Sequence, residues 1–215
     1  SDEQDLAVTI TPVNDNPPAI ASNGGGAAAA VSIAENTTAV TTVAAADADL
    51  PAQTLVYSIA GGADAARFVI DGSTGVLSFV AAPDFESPAD AGADNVYDVR
   101  VRVSDSAFFD DQDIAVTIAP VNDNAPVITS GGGGAAAGIA VAENGTAVTV
   151  VAASDADLPA QMLAYTIVGG ADAAFFALDP NTGVLTFVSP RDFEAPTDAD
   201  ADNVYEVVVR ASDGT

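Results

Sequence analysis

Displaced against itself by 108 positions, the chain superimposes on itself without a gap, and this constrains its folding more than any other feature of the 215 residues. "PVNDNPP" at 12 to 18 falls on "PVNDNAP" at 120 to 126, "AEN" at 34 to 36 on 142 to 144, and "DADLPAQ" at 47 to 53 on 155 to 161. "STGVLSFV" at 73 to 80 falls on "NTGVLTFV" at 181 to 188, "DFE" at 84 to 86 on 192 to 194, and "DNVY" at 94 to 97 on 202 to 205. A gapless period of that length, close to the usual size of a domain, means two copies of one module in tandem. The boundaries implied are 13 to 120 for the first repeat and 121 to 215 for the second, with 1 to 12 matching the last strand of a repeat.

Within one module the apolar period is two. "AVTTVA" (39 to 44), "TLVYSI" (54 to 59), "RFVI" (67 to 70), "GVLSFV" (75 to 80), "NVYDVRVRVS" (95 to 104) and "DIAVTI" (113 to 118) alternate apolar with polar residues between Gly, Asp and Pro. With a first strand at 19 to 32 this predicts seven short strands per repeat, hence an all-β chain of two tandem Greek-key sandwiches with an immunoglobulin-like architecture. Tyr57, Phe79, Tyr97 and their mates Tyr165, Phe187 and Tyr205 are expected in the two cores. "NGGGAAAA" (23 to 30) and "GGGGAAAG" (131 to 138) read as a surface loop or bulge interrupting the first strand.

Composition then narrows the chemistry. Thirty-one acids against five bases give a formal charge of −26, which opposes nucleic acid and anionic lipid as partners and favours cations that relieve self-repulsion. The absence of Cys and His removes disulfides, thiolate metal sites and His-dependent catalysis, and leaves hard-cation binding through oxygen. No run is apolar enough for a spanning helix or a signal core, so direct membrane insertion is not expected.

The ordered set of "AEN", "DFE", "NDN", "DAD" and a late "SD" resembles tandem cadherin repeats of the large bacterial cell-surface adhesin type, over the whole chain. The resemblance implies calcium at the junction between consecutive repeats, an extracellular, cell-surface location, and adhesion rather than catalysis. Its motifs place at the internal junction Glu35, Asp84 and Glu86 from the first repeat, Asn122, Asp123 and the carbonyl of Asn124 from the linker, and Asp155, Asp157 and Asp213 from the second. Seven of these are carboxylates, and two or three calcium ions, each taking about 6 to 8 oxygens, would neutralise most of that charge. The family's linker motif begins with Asp where this chain has Pro12 and Pro120, so one ligand of the pattern is missing. The prolines keep Asn-Asp-Asn extended, with side-chain and main-chain oxygens available.

Plainer readings stand beside these. A lone Asp-x-Asp is commonly a surface turn, and the Asn and Asp of "VNDN" could bond their own backbone. The run Asp198, Asp200, Asp202, Asn203 has the alternating acids of a calcium loop but neither its glycine nor its distal glutamate, and the first repeat keeps only Asp90 and Asp94; a solvated loop is the default there, an extra ion the alternative. Asn36 and Asn144 begin glycosylation sequons, yet the "AEN" motif accounts for both. Paired acids could serve glycoside hydrolysis, but every clustered acid already has a calcium role. A carbohydrate-binding module is the other alternative, although no Trp is present to build a sugar platform.

Residues 5 to 11 align with 113 to 119, while the copy of that strand in the second repeat would lie past Thr215. A donated strand is therefore one expectation: residues 5 to 11 of one molecule complete the second repeat of the next, head to tail. Asn14, Asp15, Asn16, Asp47, Asp49 and Asp105 of the donor would then meet Glu143, Asp192 and Glu194 of the acceptor in an equivalent calcium junction. The other expectation is a longer covalent array of repeats, in which peptide bonds make the same contacts. Partners are accordingly neighbouring repeats or other copies of the chain.

Overall fold

A computed structural model describes residues 1 to 214, which divide into two compact units, Ser1–Val121 and Asn122–Thr215. Each unit is an antiparallel-rich β-sandwich, and no α-helix occurs among the described residues. No helix is long and apolar enough to cross a membrane.

In the first unit the strands are β1 (Ala19–Ile20), β2 (Ala28–Ala34), β3 (Ala39–Thr42), β4 (Ala45–Ala46), β5 (Val56–Gly61), β6 (Phe68–Ile70), β7 (Val76–Phe79), β8 (Val96–Ser104) and β9 (Phe109–Ala119). One sheet has the order β2-β9-β8-β5, and the facing layer contains β3-β7-β6 with the β1-β4 pair. β1 and β2 together cover the predicted first strand, broken by irregular residues, and β4 continues just past the predicted strand at 39 to 44, so the expected seven remain recognisable. Strand β8 shows why alternation dictates the layer: Tyr97, Val99, Val101 and Val103 are buried, while Asp98 and Arg100 face solvent. Opposite it, β9 buries Ile114, Val116 and Ile118. On the outer face Arg100 pairs with Asp113 and Arg102 with Asp111, both directly across the ladder. At this exposure such pairs contribute at most about 1 kcal/mol each; the buried side chains contribute about 1.5–3 kcal/mol each and hold the layers together. Phe68 stacks on Phe79, and Tyr97 meets Phe79 edge-on.

The alanine-rich segment corrects one expectation. Gly24 and Gly25 do turn the chain with positive φ, but Ala28–Ala34 is no loop: it is a regular strand running parallel to Asp113–Ala119 of β9.

The second unit repeats the plan with β10 (Val127–Ile128), β11 (Ala147–Val150), β12 (Ala153–Ser154), β13 (Ala164–Gly169), β14 (Phe176–Leu178), β15 (Val184–Phe187) and β16 (Val208–Ser212). Its layers are β11-β15-β14 with β10-β12, facing β13-β16. Residues 136 to 142, the copy of β2, form no strand, and no strand equivalent to β9 occurs among the described residues of this unit. Tyr165, Phe176, Leu185 and Phe187 form the core, with Tyr205 packed against it.

Candidate metal-binding centre

The linker tripeptide is held by the second acid of "DAD" in both repeats. Asp47 Oδ1 accepts the N–H of Asp49 at 2.9 Å, a local turn that aims Asp49 at the linker. Asp49 accepts the main-chain N–H groups of Asp15 and Asn16, each at 3.0 Å, and the Asn16 side-chain amide at 2.5 Å. The Asn16 side-chain amide is foremost among the bonds that hold the Asp49 carboxyl below its usual range. The copy is close: Asp155 Oδ1 accepts Asp157 N–H at 3.0 Å, and Asp157 accepts the Asn124 N–H at 3.1 Å and its side-chain amide at 2.7 Å. Asn124 also donates to Asp123 at 2.9 Å, as Asn16 does to Asp15 at 3.0 Å. Asn14 and Asn122 donate to Gln53 and Gln161, both at 2.7 Å. Those glutamines were missed as site residues, although both close the duplicated "DADLPAQ".

The glutamate of "AEN" is a structural tie as well as a candidate ligand. Glu35 is only 2% exposed. Its two oxygens accept the N–H groups of Phe85 and Val121, both at 2.7 Å, fastening the "DFE" loop to the end of the repeat. Glu143 makes the first of these bonds, to Phe193 N–H at 2.9 Å, and is exposed. The following asparagines, Asn36 and Asn144, have φ of 60° and 62° and donate their N–H to Pro83 and Arg191 carbonyls. A left-handed turn is what Asn supplies there. Asp84 Oδ1 caps Glu86 and Ser87 at 3.0 and 3.1 Å, and Asp192 caps Glu194 at 3.1 Å. Asn95 and Asn203 pin the same loops through the carbonyls of Phe85 and Phe193, another role the sequence reading did not assign.

Several expected ligands converge. Asp155, Asp157 and Asp213 each offer a carboxylate oxygen within 4.8 Å of the others, as do Glu143, Asp192 and Glu194. Glu35 and Glu86 approach within the same limit in the first unit. Asp47, Asp49 and Asp105 do not close to that distance among the described residues, and neither does Asp84 join its neighbours. Asp105 is turned to cap Ala107 and Phe108, both at 2.7 Å, and the Phe108 N–H leads the causes that lower its pKa.

The donor sets fit a hard cation. Oxygens on opposite sides of a calcium ion lie about 4.8 Å apart, given bond lengths of about 2.3–2.6 Å. The buried Oδ2 atoms of Asp47 and Asp155 have no hydrogen-bond partner, an expensive arrangement for a carboxylate unless a cation takes the lone pair. Asp155, Asp157 and Asp213 would hold such an ion in the second unit.

Fold and site together define a tandem β-sandwich repeat protein with all-oxygen clusters in its loops. The chain belongs to the cadherin family: the cadherin domain matches residues 29–121 and again 138–215. It is 32% identical over 158 residues to human protocadherin Fat 4, covering 71% of this chain and 3% of that protein. A 35-residue stretch, 16% of the chain, is 60% identical to halomucin of Haloquadratum walsbyi. Among solved structures it resembles the protocadherin gammaB7 EC3-6 cis-dimer, with a TM-score of 0.64 and 25% identity over 95% of this chain and 49% of that one. The chain thus spans a few per cent of the length of Fat 4 and half of the structure it matches. Cadherin domains are typically calcium-dependent adhesion modules, bind calcium at repeat junctions in general, and are extracellular in the homologues.

Proposed function

We propose that this chain is a calcium-rigidified extension and adhesion module without catalytic activity. In this reading two or three ions at the internal junction are held by Glu35, Asp84, Glu86, Asn122, Asp123, the Asn124 carbonyl, Asp155, Asp157 and Asp213. Without the ions, seven carboxylates repel and the repeats swing about the linker; with them, the pair is stiff. The observation that carries the reading is Asp155, whose buried Oδ2 lacks a hydrogen-bond partner in a group closed by Asp157 and Asp213.

The test is small-angle scattering of the 215-residue protein in calcium and in chelator. Its radius of gyration should change, and the double variant Asp155→Ala, Asp157→Ala should abolish most of that change while far-UV circular dichroism shows both repeats folded. A double variant that responds like the parent overturns the ligand assignment.

Two finer parts of the reading are ours as well. The bacterial large-adhesin type rests on the motif resemblance alone. Head-to-tail association, in which residues 5 to 11 of one copy add to the second repeat of another, is supported by the exposure of Leu6, Val8 and Ile10 and by residues 136 to 142 having no strand partner among the described residues. Sedimentation in calcium decides it: self-association that disappears on deleting residues 1 to 10 is expected, and a strictly monomeric full chain refutes it.

A further inference from the structure

The loop joining β15 to β16 is tied down at several points. Asp172 accepts the N–H groups of Ala199 and Glu206 at 2.8 and 3.0 Å, the Tyr205 hydroxyl accepts Thr197 N–H at 3.2 Å, and Asn203 donates to the Phe193 carbonyl at 3.0 Å. Inside this frame Asp198, Asp200 and Asp202 each place a carboxylate oxygen within 4.8 Å of the other two. Asp198 is 7% exposed; its Oδ2 accepts Asp202 N–H at 2.7 Å, and its Oδ1 is buried with no hydrogen-bond partner.

The first repeat supplies the control. There the same loop carries Asp90, Gly92 and Asp94, and both oxygens of Asp90 are engaged, Oδ2 by Asp94 N–H at 3.0 Å and Oδ1 by Asn95 N–H at 3.2 Å. The loop with two acids closes on its own backbone. The loop with three leaves one buried carboxylate oxygen outside hydrogen-bonding geometry and adds one further charge, Asp200, beside it. No Lys or Arg forms an ion pair with them among the described residues; Arg191, on the same side of the repeat, donates to Ser189 and Thr197.

We infer that Asp198, Asp200 and Asp202 form a cation site of the calcium class, internal to the second repeat and missing from the first. Three carboxylate oxygens provide a hard, all-oxygen set of charge about −3, and carbonyls and water complete the number such an ion takes. Asp198 is the buried ligand, and Asp200 is the residue that distinguishes the two repeats. The site shares no ligand with the proposed junction and stands or falls separately from it.

Calcium titration of the 215-residue protein followed by amide resonances gives a local readout. The amides of Ala199, Ala201, Asp202 and Asn203 should shift together with one midpoint, while those of Ala91 to Asn95 should not follow it. Asp200→Gly installs the residue that folds at this position in the first repeat, and Asp200→Asn keeps the side chain's volume. Both should weaken the loop midpoint roughly tenfold or more, leaving the response of Asn124 and Asp157 unchanged. Loop amides indifferent to calcium, or an unaltered midpoint in both variants, overturn the site.

Discussion

The Asp157 carboxylate grips Asn124 by both its main-chain N–H and its side-chain amide, at 3.1 and 2.7 Å, and Asp49 grips Asn16 in the same way. One acid, 33 residues away in each case, therefore orients the linker asparagine before any ion arrives. Asp157 is 1% exposed, so its loss opens a buried site and leaves the half-buried amides of Asn124 without this acceptor. Asp157→Ala should destabilise the second repeat by about 1–3 kcal/mol in chelator, and calcium should recover less of that stability than in the parent. Urea unfolding with and without calcium checks both parts.

Glycine at 75 and 183 is required by its surroundings. With φ of 71° and 69°, each would bring a Cβ against the carbonyl oxygen of Val43 or Val151, the residue just past β3 or β11 whose N–H the glycine carbonyl also accepts, at 2.8 Å. Gly75→Ala and Gly183→Ala should each cost about 2–4 kcal/mol, from left-handed backbone plus the clash. Denaturant midpoints measure this; losses under about 1 kcal/mol would show that the turn rearranges freely.

Tyr97 is 2% exposed, and its hydroxyl accepts Ala89 N–H at 3.1 Å, linking core to loop. Tyr97→Phe should cost about 1 kcal/mol and Tyr97→Ala about 3–5 kcal/mol. Tyr205, less buried, bonds Thr197 in the same way at 3.2 Å, so Tyr205→Phe should loosen the acidic loop. Hydrogen exchange at residues 197 to 203 would report the loosening.

Stability in chelator should fall in acid for a stated reason. The turn carboxylates Asp71 and Asp179 are held below their ordinary pKa, chiefly by the N–H groups of Thr74 and Thr182. A depressed folded pKa contributes stability that is full above the unfolded value, about 3.9, and is lost as pH falls through the folded one. Asp200 has the opposite sign: the charge of Asp202 raises its pKa, so its ionisation costs stability at neutral pH and the cost vanishes as pH drops. Melting temperature should fall below about pH 4, with the protonation of Asp200 opposing that fall. Asp200→Asn should remove this opposing contribution and stabilise the calcium-free protein at pH 7; an unchanged profile would contradict the assignment.

Which acids come together was partly legible in the sequence because repetition filters chance. Asp155 and Asp157 could have been any surface turn, but Asp47 and Asp49 repeat them in register beside the same "LPAQ". Their double duty was not readable. Glu35 as a tie between Phe85 and Val121, and Gln161 as the acceptor for Asn122, depend on residues 86 and 39 positions apart, respectively, reaching the same place.

The sequence alone determined the module, its count, its layers and its chemistry, since alternation and turn residues act locally and a charge of −26 without His or Cys limits what can bind. The tertiary structure decided what local pattern could not. Ala28–Ala34 became a strand because β9 offers its free edge, while the similar alanines at 135 to 137 formed none. Asp90 and Asp198 are buried alike, yet only Asp90 has both carboxylate oxygens engaged by main-chain N–H groups, while Asp198 keeps an orphaned Oδ1. Strand pairing and desolvation are set by neighbours distant in the chain, and both arise only once the sandwich has closed.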